Sequence, residues 1–210
     1  MASHTIAPAT CHPQWATCCR EVLPFNGPVV TEGRPEEWLN GVEAAMFAAT
    51  KTTLYNTLEA AKTLKREKWV KELQGQCIIT AGQIVWTAEC EKALADPEAA
   101  RRNVKLLKKK WVTYLNKLTA ITRARSLLPV ERLKTVALIT IEVHARDVID
   151  KLARAGCSAV TDFEWVSQLR FYWDRDADDC VVKQVLSVFK YGYEYQVRLM
   201  FCAPGLCDFA

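Results

Sequence analysis

From Pro35 to Gly156 apolar residues recur at spacings of three and four, interrupted near Lys62–Lys68, at Asp96-Pro97 and at Pro129. A strand cannot use that period, because its side chains alternate every second residue. The spacing therefore predicts a mainly helical chain built from four long segments. The first starts near Pro35, which suits the first helical position, with Glu36 and Glu37 at the positive end of the dipole. Its stripe is Val42, Met46, Ala49, Leu54, Leu58 and Ala61. The second runs from about Trp69 to Ala95 through Ile78, Ile84, Val85, Trp86 and Leu94, with Gly75 and Gly82 weakening its continuity. The third, about Glu98 to Leu127, carries Val104, Leu107, Trp111, Leu115, Leu118 and Ile121. The fourth covers about 130–155 and ends at Gly156, a suitable left-handed terminator. Leu133, Ala137, Ile141, His144, Val148 and Leu152 are placed on its apolar stripe, so His144 is expected as a buried, hydrogen-bonded histidine.

The two ends follow other rules. Pro8, Pro13, Pro24 and Pro28, with Gly27 and Gly33, predict an irregular stretch over 1–34. Cys11, His12, Cys18 and Cys19 lie there, but adjacent cysteines are a poor zinc pattern, and free thiols are expected. After Asp162, a helix N-cap candidate, Phe163–Leu169 reads as a short helix. Leu169–Trp173 and Cys180–Val185 are rich in β-branched and aromatic residues and flank an acidic loop, which predicts a β-hairpin. Arg170 is expected to pair with Asp174 and Asp176, and Tyr191–Tyr195 to form a further strand-like segment. The acidic loop lacks the ligand pattern of a calcium loop and is expected to be a solvated turn.

Composition narrows the function classes. Apolar residues make up 50% of the chain and the net charge is +4, which excludes wholesale disorder and an obligate nucleic-acid binder. Nine cysteines cannot all pair internally, and neither a secretory leader nor a bilayer-long apolar run is present, so a reduced cytoplasmic chain without a membrane role is expected. Seven tryptophans point to large contacts between packed elements. The third helix carries Arg101, Arg102, Lys105, Lys108, Lys109, Lys110, Lys117, Arg123 and Arg125 beside a single acid, Glu98. A solvated or protein-facing surface is the expectation for that face. The alternative is a stand-alone helical interaction domain binding an acidic protein or nucleic acid through it. No Gly is followed by Lys, so the phosphate-cradling G-x-x-x-x-G-K-[ST] loop is absent, and no G-x-G-x-x-G, H-E-x-x-H or G-x-S-x-G occurs. Three histidines leave little for nucleophilic catalysis. His144-Ala145-Arg146-Asp147 superficially matches a kinase catalytic loop but lies inside a periodic helix.

An ordered set of strings carries a family resemblance. Glu37-Trp38-Leu39 opens the first helix, and Ile84-Val85-Trp86-Thr87 sits in the second. Ile141–Val148, reading IEVHARDV, lies on the fourth. Phe163–Trp173, reading FEWVSQLRFYW, is followed by Tyr191-Gly192-Tyr193-Glu194-Tyr195. From about Val22 to Tyr195 the chain resembles the dynein heavy chain, in the C-terminal part of its linker up to the first AAA+ module. The VHARDV form and the Trp of RFYW look axonemal.

The resemblance implies an elongated helical bundle with a small C-terminal β-hairpin. It divides the chain into a non-family N-terminus (1–21), a helical linker-type domain (22–170), a β element at the AAA+ junction (171–195) and a divergent tail (196–210). It implies a mechanical lever in a microtubule minus-end-directed motor, in the cilium or flagellum. Trp38, Trp86, His144, Arg146, Asp147, Trp165, Gln168, Arg170, Tyr193, Glu194 and Tyr195 would then be structural signature residues, His144, Arg146 and Asp147 holding helices in register. The implied partners are the AAA+ ring of the same heavy chain, dynein intermediate and light chains and, indirectly, the microtubule. ATP and Mg belong to the full-length family. The divergence after Tyr195 and the missing Walker A and B motifs lead us to expect a fragment with no cofactor or catalytic residue of its own.

Overall fold

Asp96 marks the sharpest boundary in the helical part: its Oδ1 accepts hydrogen bonds from the backbone N–H groups of Glu98 (3.1 Å) and Ala99 (3.4 Å), ending one helix and starting the next. The computed structural model describes residues 10–11, 14–16, 21–30, 34–123 and 127–195, the first two of these segments and Val30 by their backbone alone. The candidate zinc residues His12, Cys18 and Cys19, the Cys11 side chain and the tail 196–210 lie outside that description.

The chain divides into two units, residues 1–53 with 192–210, and residues 54–191. In the first, β1 (Thr10–Cys11) pairs antiparallel with β4 (Val29–Val30), and β2 (Gln14–Ala16) with β3 (Val22–Pro24). Short ladders thus occur where an irregular stretch was expected. Pro24 is the last residue of β3, a strand-end position that proline tolerates. Helix α1 (Pro35–Thr63) follows, its residues up to Thr53 belonging to this unit and those from Leu54 to the second. Leu23, Ala49 and Tyr195 are buried together against Phe25, and the Tyr195 hydroxyl lies 3.1 Å from a Glu21 carboxylate oxygen.

The second unit contains α2 (Arg66–Glu72), α3 (Gly75–Leu94), α4 (Ala100–Thr122), α5 (Pro129–Ala155) and α6 (Phe163–Val166). The expected Trp69–Ala95 helix is two helices. Leu73 and Gln74 are extended, Gly75 follows, and the Lys134 ammonium takes the freed Leu73 carbonyl at 2.8 Å. A second difference concerns α5. Its buried residues are Thr135, Leu138, Glu142, Ala145, Val148, Ile149 and Leu152, while Leu133 and His144 are exposed. The real stripe is rotated relative to the expected one because it follows the facing helices rather than the most apolar letters. Gly156 closes α5 at φ 72°, the left-handed conformation anticipated for it.

Two apolar clusters fill this unit. One gathers Trp86, Leu94, Val104, Leu107, Trp111, Ile149, Leu152 and Trp165; the other gathers Trp69, Val70, Ile78, Leu118 and Leu138. The Trp86 and Trp165 rings meet at 5.3 Å, tilted by 59°. A three-stranded antiparallel sheet, β5 (Arg170–Asp174), β6 (Asp179–Gln184) and β7 (Ser187–Lys190), completes the unit. It is tied to α3 by the Phe171 N–H donating to Thr87 Oγ1 at 3.1 Å and the Tyr172 hydroxyl donating to Glu91 at 2.6 Å. The third strand is Ser187–Lys190, and Tyr191–Tyr195 is irregular rather than strand-like. Tyr193, at φ 53°, cannot continue a ladder.

Candidate functional site: a buried arginine–glutamate pair joining four helices

Arg66 opens α2 and Glu142 sits mid-way along α5; their side chains meet at 2.7 Å with exposures of 7% and 3%. A charged pair this dry is uncommon, because taking each ion out of water costs several kcal/mol before mutual attraction repays it. Its walls are aromatic. The Arg66 guanidinium lies 5.1 Å from the Trp69 ring centre, 5.0 Å from Trp111 and 5.4 Å from Tyr114. It also approaches the Gly82 carbonyl at 3.4 Å. Residues from α2, α3, α4 and α5 therefore converge on one guanidinium.

The pair is only partly satisfied: Arg66 Nε and Glu142 Oε2 have no hydrogen-bond partner among the described residues. Burial pushes the Glu142 carboxyl above its ordinary 4.5, while the Arg66 charge and the adjacent Trp111 indole pull the other way. Gly82 is required by this geometry. A Cβ there would stand 3.3 Å from Arg66 Nη2 and 3.7 Å from Glu142 Oε1. The arrangement can fix the relative register of four helices. Among the described residues, no group of three or more His, Cys, Asp or Glu side chains is placed to hold a metal ion, and no helix is long and apolar enough to cross a membrane.

The signature residues fall in several places. Trp86, His144 and Gln168 line one small cavity of about 90 Å³ with Gly82 and Glu142, so α3, α5 and the segment after α6 meet beside the pair. Trp165 is fully buried under Trp86. His144 is exposed, which corrects the expectation of a buried histidine. Arg146 bonds the neighbouring Asp147 at 2.6 Å, an ion pair between adjacent residues of α5 rather than between helices. Gln168 Nε2 donates to the Glu164 carbonyl at 2.9 Å. Arg170 is buried at the start of β5, whereas Asp174, at its far end, caps the turn by accepting from the Asp176 and Ala177 N–H groups. The expected Arg170–Asp174 pair is replaced by that turn. Asp162 occupies the expected N-cap position of α6, but its carboxylate accepts from the Ser158 and Ala159 N–H groups and makes no side-chain cap bond to the helix. Trp38 is half-buried on α1, Tyr193 and Tyr195 are buried, and Glu194 is exposed.

Sequence reasoning missed Arg66 and Glu142. Both were visible, Arg66 in a basic cluster and Glu142 inside IEVHARDV. The available signal was an acid at an α5 position that the correct helical phase would bury.

The basic face of α4 is partly neutralised from within. Lys108 pairs with Asp150, Lys110 with Glu89 at 2.7 Å and Lys117 with Glu67 at 3.0 Å.

No family model matches the chain. It is 72% identical over 176 residues to the dynein-1-beta heavy chain of the flagellar inner arm I1 complex of Chlamydomonas reinhardtii, a match covering 84% of this chain and 4% of that one. Identity is 47% over 177 residues to dynein axonemal heavy chain 2 of Mus musculus, covering 83% and 4% of the two chains. It is 37% over 165 residues to dynein axonemal heavy chain 6 of Homo sapiens, covering 78% and 4%. The chain thus spans about 4% of the length of these relatives. Over that stretch it belongs to the axonemal dynein heavy-chain family.

Proposed function

We propose that the chain is a non-catalytic mechanical linker segment of an axonemal dynein heavy chain, a microtubule minus-end-directed motor driven by ATP in the full-length protein. The observation that carries this reading is the buried Arg66–Glu142 pair, which joins α2, α3, α4 and α5 in a stretch of the family whose 210 residues hold no G-x-x-x-x-G-K-[ST] motif. A lever must transmit force without shear between its helices. A dry ion pair walled by three aromatic rings resists such sliding, because any displacement strands a charge in an apolar setting. The AAA+ ring of the same heavy chain, with its ATP and Mg, is the partner that would bend and straighten the segment. Dynein intermediate and light chains and the microtubule are engaged through the complete motor. The axonemal and flagellar names of the relatives support a place in the cilium or flagellum.

The test is a graft. The chain's family-like segment replaces its counterpart in the Chlamydomonas inner-arm heavy chain, with and without Glu142→Ala. The expected result is a parent graft that glides microtubules, and a variant that turns over ATP at a similar rate but moves them more slowly. ATPase activity in the isolated 210-residue chain, or equal losses of turnover and gliding in the variant, would overturn the proposal.

A further inference from the structure

The cations of α4 separate into two groups. Lys108, Lys110 and Lys117 each have an intramolecular carboxylate. Arg101, Arg102, Lys105 and Lys109 are all exposed, and no ion pair among the described residues engages them. With Leu106, which is 55% exposed, they line a single shallow depression. Arg101, Lys105 and Lys109 follow one another at four-residue steps, a row about 12 Å long.

This placement opposes the stability of the helix that carries it. Arg101 and Arg102 occupy the first turn of α4, which has no acidic residue. Cations there face the positive end of the helix dipole. The four-residue steps also set like charges beside one another. Arg101 has one such compensation, since its Nη2 lies 3.7 Å from where a Gly156 Cβ would stand, at the C-terminal end of α5. Arg102, Lys105 and Lys109 have no ion pair among the described residues, and locally unfavourable charges of that kind mark a surface kept for something outside the fold. Leu106 lies beside the row, four residues after Arg102 and three before Lys109, and adds an apolar contact next to the cations.

We propose that the Arg101–Lys109 face of α4 is a docking surface for an acidic amphipathic helix of another polypeptide segment, with carboxylates at four-residue spacing flanking an apolar side chain. Charge complementarity sets the orientation and Leu106 supplies the contact that a polyanion without apolar groups could not use. A nucleic acid is the less suitable occupant, because the face carries a leucine where an aromatic stacking residue would serve a base. The proposal goes beyond the lever role and does not depend on it.

The experiment uses the 210-residue chain and fluorescence anisotropy. The probes are a capped helical peptide with Glu at every fourth position beside a Leu stripe, the same composition scrambled, and a short DNA duplex. Arg102→Glu with Lys105→Glu and Lys109→Glu should weaken peptide binding about tenfold or more. A matched reversal of three exposed lysines elsewhere, Lys71, Lys151 and Lys190, should change it less than about twofold. Leu106→Ser should weaken peptide binding and leave its salt dependence unchanged. The α4 triple variant should also melt at an equal or higher temperature, since Arg102→Glu puts an acid in the first turn and Lys105→Glu sets one four residues from Arg101. A lower melting temperature would mean that the cations serve the fold. Equal losses in both triple variants, indifference to Leu106→Ser, equal binding of the scrambled peptide, or tighter binding of the duplex would each overturn the proposal.

Discussion

The Arg66 guanidinium and the Glu142 carboxylate stand 2.7 Å apart in a cage formed by Trp69, Trp111 and Tyr114, with neither side chain more than 7% exposed. The contact joins α2 to α5, two helices separated by more than fifty residues of sequence.

Breaking one side of this pair should cost more than removing both. Glu142→Ala leaves a buried guanidinium uncompensated and is expected to lose about 3–5 kcal/mol of unfolding free energy. Arg66→Met with Glu142→Leu, which refills the space with apolar groups, should recover most of that. Urea unfolding of the two variants checks the order. A double variant as unstable as the single one would assign the pair a net stabilising role.

The pH dependence has a definite sign. Burial holds the Glu142 pKa above 4.5, so the folded chain binds this proton more tightly than the unfolded one. Its contribution is therefore fully present below 4.5 and is lost as pH rises through the raised value. Glu67, held below 4.5 chiefly by Lys117, and Asp150, held below 3.8 chiefly by Lys108, act oppositely; their contributions are lost as pH falls through their folded values. Glu142→Gln should consequently gain stability relative to the parent between about pH 4 and 7. A difference that stays constant over that window would contradict the raised pKa.

Gly82→Ala should destabilise the chain although alanine is the better helix former. The substitution gains about 1 kcal/mol in intrinsic propensity. Against this, the new methyl meets Arg66 Nη2 at 3.3 Å, and that guanidinium cannot retreat from its three rings and Glu142. A net loss of about 1 kcal/mol is expected, following the usual cost of overpacking. Adding Arg66→Met should reverse its sign. Thermal melts of the single and double variants test this.

Trp165 is fully buried and packs its ring, tilted, against Trp86, so Trp165→Ala should lose about 3–5 kcal/mol. Trp165→Phe should lose much less, because it keeps a ring and removes an indole N–H that has no hydrogen-bond partner among the described residues. Chemical denaturation of both variants gives the comparison.

The thiols of the second unit should be inert in the folded chain. Cys77, Cys90, Cys157 and Cys180 are buried thiols that form no disulfide among the described residues. Burial, reinforced by nearby acids, raises the thiol pKa of Cys90 and Cys157 and pushes that of Cys180 up to about 12. Iodoacetamide at about pH 8 should label these three only after denaturant is added. Mass mapping of the labelled peptides reads the outcome directly.

Much of this architecture was legible beforehand because it is local. The starts at Pro35 and Pro129, the break at Asp96-Pro97 and the left-handed Gly156 depend on residues within one turn of each event. The phase of α5 did not follow in the same way. Its neighbours, not its own letters, decide that Glu142 is buried and His144 exposed. Tyr191–Tyr195 looked strand-like from its aromatics, yet β6 found its partner in Ser187–Lys190 through the two-residue turn Val185-Leu186.

The sequence by itself determined the helical class, the breaks at Asp96-Pro97, Pro129 and Gly156 and the family, since periodicity, punctuation and ordered motifs are properties of neighbouring residues. Only the tertiary structure decided which charges are internal. Arg66 and Glu142 disappear into the core, Lys108, Lys110 and Lys117 are neutralised, and Arg101, Arg102, Lys105 and Lys109 stay in water. Hydration and charge pairing act through space, so the same residue type can be a lock, a local ion pair or a docking contact according to what the fold sets opposite it.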